Sequence, residues 1–495
     1  MPTAIEQARA EASEAGIIRQ WWFVLTVFAL GTLLLYFPVL HNGFLTDDYA
    51  ALYRITVQHH ILYREFLRPL IDITFYLNYL LSGLHPAGYY IFNFVIHALT
   101  CYMVYRVALD LELFEGATRY QFAWMAGILF LVYPFHNEGI VWLSGRLSSM
   151  AAFCGLLAVH FNLTRRWPLD FLLAAVCWLI GLFAYESIIV LPLILLVLRI
   201  PRYGTTAKPV RDMVAWGAAG LVYIGLRWVI AGMLVPGYGE GGMSGNGAMD
   251  IIIRSGKVLG RCFLPPSEAS GRFVVLTIIV LIAVVVLQVM LWRRMRAGGR
   301  EGSYYLLPGV ALMVALLPAV IFGISTRTSE GDRLLYFPSC WLCMLAAVLL
   351  IALVRAVVVR WVLVALILTG SILFIGQNNR HWIFASRTFE VILDTIRNTR
   401  PSPVMLVNAP DEWEGAFIFR NNFYRALAVN GIDTGRVMVS HYLGRLEYLK
   451  AGDVIEPERR DRGLFIYPCT WIVGERDGGK LIYYWDKVQW KRVIL

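Results

Sequence analysis

Long apolar runs recur from residue 21 to residue 376 and constrain the fold of this chain more than any other feature. A helix needs about 20 apolar residues to cross the hydrocarbon core of a bilayer. Only 16% of the 495 residues are charged and 58% are hydrophobic, whereas soluble domains average roughly a quarter charged residues. The sequence therefore predicts an α-helical polytopic membrane protein. About eleven spans are expected, near residues 21–40, 89–108, 122–135, 147–164, 169–185, 187–199, 213–232, 273–292, 304–323, 335–354 and 361–376.

Short basic segments predict which ends of the spans face the cytoplasm. Arginines cluster at residues 165–166, 199–211 and 293–296, and Arg355 and Arg360 fall on the same side when the spans alternate in direction. Cytoplasmic loops carry an excess of Lys and Arg. We therefore expect an integral protein of the plasma (inner) membrane, with its N-terminus inside and its first span uncleaved. The formal net charge of +10 is then a topology signal and does not indicate binding to nucleic acid.

A change in composition near residue 377 predicts two domains. Residues 1–376 are expected to form the transmembrane domain, whose long outer loop, residues 41–88, carries amphipathic helices interrupted at Arg68-Pro69. Residues 377–495 are charged and lack a spanning run, and we expect them to form a small extracytoplasmic α+β domain. Its predicted elements are a helix over residues 415–429 and strands at 404–407, 437–439, 464–467, 471–473 and 481–485.

Two adjacent acids, Asp47 and Asp48, lie just after the first apolar run. A carboxylate near lipid is costly unless it faces water, a cation or a substrate. At the outer mouth of a helix bundle, such a pair is a good candidate for a general base beside a charged substrate. Aspartate is also favoured at the N-cap of a helix, so a structural role for either acid stays open.

Four further segments are expected on the same outer face. They read Phe66-Leu67-Arg68-Pro69-Leu70, Tyr133-Pro134-Phe135-His136-Asn137-Glu138-Gly139-Ile140-Val141-Trp142, Ser144-Gly145-Arg146 and Asp332-Arg333-Leu334-Leu335-Tyr336-Phe337-Pro338-Ser339. With Thr46-Asp47-Asp48, their order and spacing resemble the GT-C superfamily of membrane glycosyltransferases. The likeness is greatest to the transmembrane O-mannosyltransferase branch and its repeat-free bacterial relatives. The segment Ala184-Tyr185-Glu186-Ser187 is also similar to that branch, with Tyr185 where Lys is usual.

The resemblance covers about residues 41 to 390 and implies a sugar donor linked to a polyprenyl phosphate. It also implies transfer on the extracytoplasmic side, usually with inversion, with Asp47 as the base and Asp48 orienting the acceptor or supporting Asp47. The chain departs from the family after Arg146, because the family commonly has an acidic residue two positions on, where this chain has Ser148 after Leu147. The sugar therefore stays open, and the acceptor hydroxyl belongs to a protein, a lipid or a glycan.

Cationic side chains are needed as well as a base. Inverting transfer requires a carboxylate that takes a proton from the incoming hydroxyl, and positive charge around the departing phosphate. Arginine and lysine bind phosphate well. Arg68 and Arg333 also have structural alternatives, an interfacial arginine and an ion pair with the neighbouring Asp332. The candidates for binding the donor phosphate are Arg68, Arg146, Lys257, Arg327 and Arg333.

Other polar residues of the same motifs are candidates for supporting roles. Glu138 is a further catalytic candidate, and His136, Glu186 and Tyr336 are expected to support the site or to contact the acceptor. If a divalent cation takes part, Asp47, His136 and Glu138 offer suitable ligands, and no other cofactor is expected. A structural hydrogen bond between His136 and Glu138, and a polar contact of Glu186 inside the bundle, are the alternatives.

A transporter or flippase of a lipid-linked substrate is the alternative function. It predicts charged groups in mid-span and paired broken helices that recur in two halves. Here the ionisable residues cluster at span ends, and no two-half repeat is evident. The transferase hypothesis makes its own spatial demand, because Asp47 must share a cavity with several of the predicted cations.

Overall fold

A computed structural model describes residues 21–64, 66–164, 166–203, 208–232, 247–267, 269–297, 302–398, 404–407, 412–440, 481–485 and 490–494. The helices of the first half are α1 (Trp21–His41), α2 (Asp48–Thr56), α3 (Pro69–Ser82), α4 (Pro86–Asp110), α5 (Gly116–Leu131), α6 (Asn137–Ile140), α7 (Arg146–Thr164), α8 (Asp170–Leu182), α9 (Leu191–Tyr203) and α10 (Lys208–Ala231). They are followed by α11 (Ala248–Arg261), α12 (Ser270–Ala297), α13 (Leu307–Ala315), α14 (Leu317–Phe322), α15 (Tyr336–Leu353), α16 (Val357–Asn398) and α17 (Phe423–Val429).

Eight helical segments in the described ranges are long and apolar enough to cross a membrane. They are Trp21–His41, Pro86–Asp110, Leu143–Thr164, Arg211–Ala231, Gly271–Arg294, Tyr304–Phe322, Asp332–Leu353 and Val357–Asn398. A helix lies at each of the other three predicted positions too, but α5, α8 and α9 have only 16, 13 and 13 residues. The architecture is that of an integral membrane protein, and the crossing of these three shorter helices stays a prediction.

The bundle core forms where α4, α5, α7, α8 and α15 pack against one another. The ring of Trp341 on α15 is fully buried there. Helices α10 and α12 instead turn many apolar side chains outward, such as Val229 at 78% and Val285 at 61% exposure. A helix that is apolar on its outward face suits contact with lipid chains rather than with water.

Helix α16 is much longer than the span predicted at residues 361–376. It has 42 residues, so at 1.5 Å per residue it is about 60 Å long. The predicted domain boundary at residue 376 falls inside this continuous helix. Ile375, next to that boundary, is buried, and so are Trp382, Phe389 and Ile396 beyond it. Their spacing of two helical turns explains why the helix continues, since one apolar face has a partner to pack on.

The prediction of helices in the 41–88 loop is confirmed. Helices α2 and α3 lie in it, and α3 starts at Pro69, where a missing N–H costs nothing because the first turn has no partner for it. The two helices contact each other, and α3 also packs on α4. The loop is therefore a structured layer attached to the bundle.

The C-terminal strands are β1 (Val404–Val407), β2 (Glu412–Trp413), β3 (Ala416–Phe417), β4 (Val437–Ser440), β5 (Leu481–Trp485) and β6 (Trp490–Ile494). Four of them form one sheet in the order β4-β1-β5-β6, in which β1 is parallel to both of its neighbours and β5 is antiparallel to β6. The strands predicted at 404–407, 437–439 and 481–485 are present in it. The runs at 464–467 and 471–473 lie outside the described residues.

The helix predicted over residues 415–429 is shorter than expected. Glu414 and Gly415 both have a positive φ and turn the chain between β2 and β3. Asn422 is also left-handed and precedes the first residue of α17. Left-handed residues do not continue a right-handed helix, so α17 begins only at Phe423 and ends at Val429 as predicted. We call residues 412–430 the cap segment.

Candidate active site

Asp47 lines a cavity of about 510 Å³ together with other residues of its own loop and residues from three distant parts of the chain. The wall is formed by the 41–88 loop, the segment around Trp142 to Leu147, Arg333, and the cap segment. Two of the predicted cations, Arg68 and Arg333, are in this wall. Asp47 therefore shares a cavity with two of the predicted cations, as the transferase hypothesis requires. The lining residues are Asp47, Ala50, Ala51, Arg54, Tyr63, Phe66, Arg68, Ile71, Asp72, Phe75, Trp142, Ser144, Leu147, Arg333, Asn421, Asn422 and Arg425.

Asp47 does not act as a helix cap. It occupies the N-cap position of α2, but its side chain makes no capping hydrogen bond. Instead its Oδ1 accepts a hydrogen bond of 2.6 Å from Nδ2 of Asn422 in the cap segment. Burial raises the pKa of Asp47 above its ordinary value, although the nearby Arg333 guanidinium and the Asn422 donor favour the ionised form.

Asp48 does not line the cavity, and its side chain links the segment around Leu45 to Ser144. Its carboxylate accepts hydrogen bonds from the main-chain N–H of Leu45 at 3.0 Å, from the N–H of Ser144 at 2.8 Å and from Ser144 Oγ at 2.6 Å. Burial raises the pKa of Asp48 to about 6, and these donors oppose the rise. The geometry suits a supporting role, in which Asp48 fixes Ser144 and hence the cavity wall beside Asp47.

Glu138 and Arg333 form a buried ion pair at the cavity wall. The Arg333 guanidinium donates to Oε1 of Glu138, and the main-chain N–H of Arg333 donates to Oε2 at 2.9 Å. Glu138 is 1% exposed and does not line the cavity. The expected alternative pairing of Arg333 with Asp332 is wrong, because Asp332 accepts two hydrogen bonds from Arg261 instead.

Arg68 is held by a second buried network. Its guanidinium donates to Oε2 of Glu186 at 2.9 Å, and Arg227 on α10 donates to the other oxygen at 2.9 Å. Glu186 is 7% exposed and Arg227 only 1%. Glu186 is therefore a polar contact inside the protein, which is one of the two roles that the sequence left open for it. Its hydrogen bond holds Arg68 in the cavity wall.

The other three predicted cations do not reach the cavity. Arg146 is fully buried, donates to Asn78 Oδ1 at 2.6 Å and to the carbonyl of Leu143 at 3.0 Å, and lies over the ring of Phe75. Lys257 and Arg327 are exposed and lie elsewhere. The prediction that these three residues share a pocket with Asp47 is therefore wrong. The spacing of residues along the chain could not reveal that the guanidinium N–H groups of Arg146 find their hydrogen-bond acceptors inside the bundle.

His136 and Tyr336 also lie outside the cavity wall. His136 is buried, with Nε2 2.8 Å from Ser339 Oγ, and the hydroxyl of Tyr336 is 2.6 Å from Nδ1 of His97. Within the described part of the chain, no three His, Cys, Asp or Glu side chains are grouped closely enough to hold a metal ion. Asp47, His136 and Glu138 are thus not gathered as a ligand set, and a role for a divalent cation stays a prediction.

Several lining residues were not anticipated. Arg54 and Asp72 form an ion pair of 2.7 Å in the wall, and Asp72 also accepts from the N–H of Tyr63 at 2.8 Å. Asn422 and Arg425 come from the cap segment, more than 370 residues after Asp47. An aspartate and an arginine on neighbouring amphipathic helices were a usable signal for the first pair. Nothing in the local sequence indicated that Asn422 and Arg425 would reach the cavity.

The fold and the cavity define the chain as an integral membrane protein whose candidate site combines two carboxylates, Asp47 and Asp72, with several arginines. No family model matches the sequence. It is similar over short stretches to the protein O-mannosyl-transferase Tmtc1 of Drosophila melanogaster, with 35% identity over 104 residues, or 20% of this chain and 12% of the relative. Human protein O-mannosyl-transferase TMTC3 is 34% identical over 98 residues, 20% of this chain and 10% of that protein.

Protein O-mannosyl-transferase F38B6.6 of Caenorhabditis elegans is 30% identical over 100 residues, 20% of this chain and 14% of that relative. The matched stretches thus cover far less than two thirds of these relatives. The resemblance to the O-mannosyltransferase branch of membrane glycosyltransferases, which the motifs indicated, is confirmed.

Proposed function

We propose that the protein transfers a sugar from a polyprenyl-phosphate-linked donor to an acceptor hydroxyl on the extracytoplasmic face of the membrane. The observation that carries the proposal is the cavity in which Asp47 meets Arg68 and Arg333. The short similarities to proteins named O-mannosyl-transferases support glycosyl transfer as the reaction class.

Asp47 is the better base of the two carboxylates that line the cavity. Both oxygens of Asp72 accept hydrogen bonds, one from Arg54 and one from the N–H of Tyr63. Among the described residues, Asn422 alone donates to the side-chain carboxylate of Asp47, and it does so to Oδ1. Oδ2 of Asp47 is thus left to accept a proton, which a general base requires.

Arg68 and Arg333 are the cations proposed to bind the donor phosphate. Each is anchored by a buried glutamate, Arg68 by Glu186 and Arg333 by Glu138. Anchored donors need no reorganisation when negative charge grows on the leaving phosphate, and this makes them effective in the transition state. Loss of one such donor typically costs about 3 to 4 kcal/mol of barrier.

The proposed step is a single displacement with inversion. The acceptor oxygen attacks the anomeric carbon of the sugar while Oδ2 of Asp47 takes the hydroxyl proton. The bond between that carbon and the phosphate oxygen breaks, and its electron pair leaves with the polyprenyl phosphate. The products are the glycosylated acceptor, the free polyprenyl phosphate and a protonated Asp47, which then releases its proton to water.

Mannose is the first sugar to test, since the relatives are named O-mannosyl-transferases. A serine or threonine hydroxyl of a protein is the first acceptor to test, and lipid and glycan hydroxyls come next. The donor chain would lie in the bilayer beside α10, whose exposed face is apolar. Nothing in the described part of the chain favours the transporter or flippase alternative.

The test uses the full-length protein in lipid nanodiscs with radiolabelled polyprenyl-phosphate mannose and a serine- and threonine-containing peptide. We expect label to pass to the peptide, and an Asp47→Asn variant to be slower by roughly 10²- to 10⁴-fold, the usual contribution of a general base. Asp250→Asn is the matched control, because Asp250 is exposed on α11 and away from the cavity. Full turnover by Asp47→Asn would overturn the assignment of the base.

Two further arms test the donor and the reaction class. A nucleotide-linked mannose, which carries no polyprenyl chain, should not replace the lipid donor. If no acceptor receives label but the lipid donor changes leaflet in sealed vesicles, the protein is a flippase and the transferase proposal is wrong.

A further inference from the structure

We infer that Asn422 and Arg425 of the cap segment are positioning residues for Asp47, so that the C-terminal part of the chain completes the site. This inference deepens the proposed function and rests on Asp47 as its base. The motifs that resemble the glycosyltransferases end near residue 390 and do not include the cap segment.

The two side chains form a relay that ends on the carboxylate. Arg425 donates to Oδ1 of Asn422 at 2.9 Å, and Nδ2 of Asn422 donates to Oδ1 of Asp47 at 2.6 Å. A guanidinium has no acceptor atom. The amide oxygen of Asn422 must therefore face Arg425, and its NH₂ group must face Asp47. The direction of the relay is fixed by chemistry.

The backbone places Asn422 for this contact. Its φ is 62°, in the left-handed region, which asparagine tolerates better than most residues. This conformation follows a bend at residues 418–421 and precedes α17, which packs directly on α2, the helix that follows Asp47. Asn422 therefore stands between two helices that hold its donor against the carboxylate.

Aromatic packing fixes the cap segment to the rest of the protein. The ring of Phe389 on α16 stacks on Tyr49 of α2 at 5.5 Å, and it also contacts Phe419 at 5.2 Å and Phe423 at 6.1 Å. Phe419 and Phe423 are both buried. These side chains belong to the continuous core of the protein, so the contact of the segment with Asp47 is part of a packed arrangement rather than a surface encounter.

A carboxylate with one fixed oxygen is a better base than one that rotates freely. The donor on Oδ1 aims Oδ2 at the cavity, and a hydrogen bond to the charged form also favours ionisation. The charged groups that face Asp47 come from several elements, and Asn422 acts among them. They are Arg333, Arg420 and Arg425, with Arg54, Arg68 and Asp72 in the same cavity wall.

The experiment compares Asn422→Gly with Glu414→Gly in the mannosyl-transfer assay. Both residues have a positive φ in the same segment, so glycine should relieve a similar backbone strain at each position. Glu414, however, is exposed and does not line the cavity. We expect Asn422→Gly to lower kcat by about 10- to 100-fold, the value of a hydrogen bond to a charged group. The donor KM should stay within about twofold, and the acidic limb of the pH profile should move to higher pH. Glu414→Gly should change none of these.

Arg425 supplies a second variant. Arg425→Gln should reproduce part of the loss in kcat, and Arg425→Lys, which keeps the positive charge and a donor, should restore part of it. Equal kinetics and equal pH profiles for Asn422→Gly and Glu414→Gly would overturn the inference.

A readout without catalysis separates this inference from the proposed function. A carbodiimide with an amine nucleophile labels protonated carboxyl groups, and mass spectrometry measures the labelling of Asp47 as a function of pH. In Asn422→Gly the midpoint of this labelling should lie at higher pH than in the wild type, whether or not the protein transfers mannose. An unchanged midpoint refutes the positioning role, whereas a shifted midpoint without any transfer activity refutes only the proposed function.

Discussion

Both the side chain and the main-chain N–H of Arg333 donate to the carboxylate of Glu138, 195 residues earlier in the chain. Glu138 is buried, whereas the Arg333 side chain is 22% exposed and reaches the cavity. The pair therefore joins the short helix α6 to the loop before α15 and directs one cation at Asp47.

Glu138→Ala should lower both stability and transfer. Removal of one partner from a buried ion pair typically costs roughly 3 to 5 kcal/mol, and the loss here should lie at the lower end of that range because the Arg333 side chain is 22% exposed. Thermal unfolding in detergent should show this loss, and the transfer assay should show a higher donor KM because Arg333 is no longer anchored. Arg420 and Glu330 form a more exposed pair, and Glu330→Ala should cost less than about 1 kcal/mol. Equal losses in the two variants would contradict the anchoring role.

Gly145→Ala should disturb the same wall without changing any charge. A Cβ at residue 145 would lie 1.9 Å from the main-chain oxygen of Glu138, so the two segments must move apart. Overpacking of this kind costs about 1 to 3 kcal/mol, measurable as a lower unfolding temperature together with slower transfer. Gly217→Ala on α10 is the matched control, since its Cβ would meet open space. A Gly145→Ala variant as stable and active as this control would show that the close approach is unimportant.

The pH dependence of transfer should reveal the ionisation of Asp47. The base works as a carboxylate, so kcat/KM should fall as pH falls through its pKa, which burial places above the ordinary value of 3.8. The positive charge of Arg420 lowers this pKa, and Arg420→Gln should therefore move the acidic limb to higher pH. Arg397→Gln removes a charge from an exposed pair and should leave the limb in place. A shift to lower pH in Arg420→Gln would contradict the electrostatic account.

Glu186→Gln should affect Arg68 and Arg227 together. The carboxylate accepts from both guanidinium groups, each at 2.9 Å, and the neutral amide removes the negative charge that the buried Arg227 shares with Arg68. We expect a loss of roughly 3 to 5 kcal/mol in the free energy of unfolding and weaker binding of the donor. Asp394→Asn, in an exposed pair with Arg397, should cost under about 1 kcal/mol. If Glu186→Gln unfolds like this control, Glu186 does not hold the network together.

The motifs predicted part of the cavity wall. Asp47, Arg68 and Arg333 do line one cavity, and Glu138 and Glu186 contact two of them. Arg146, from the Ser144-Gly145-Arg146 motif, and Lys257 and Arg327 were also predicted to bind the donor phosphate, but all three lie elsewhere. Whether an arginine faces a cavity or satisfies its donors inside the bundle depends on neighbours such as Asn78, which its own sequence context does not specify.

The amino-acid sequence by itself determined the helices, because the hydrophobic effect acts on runs of local residues and their periodicity. It determined the apolar spans, the helices of the 41–88 loop and the break at Pro69. Tertiary structure alone decided that α16 continues to Asn398, that the cap segment reaches Asp47, and that Arg227 shares Glu186 with Arg68. These contacts join residues from 41 to 375 positions apart, so they arise only when the whole chain has packed.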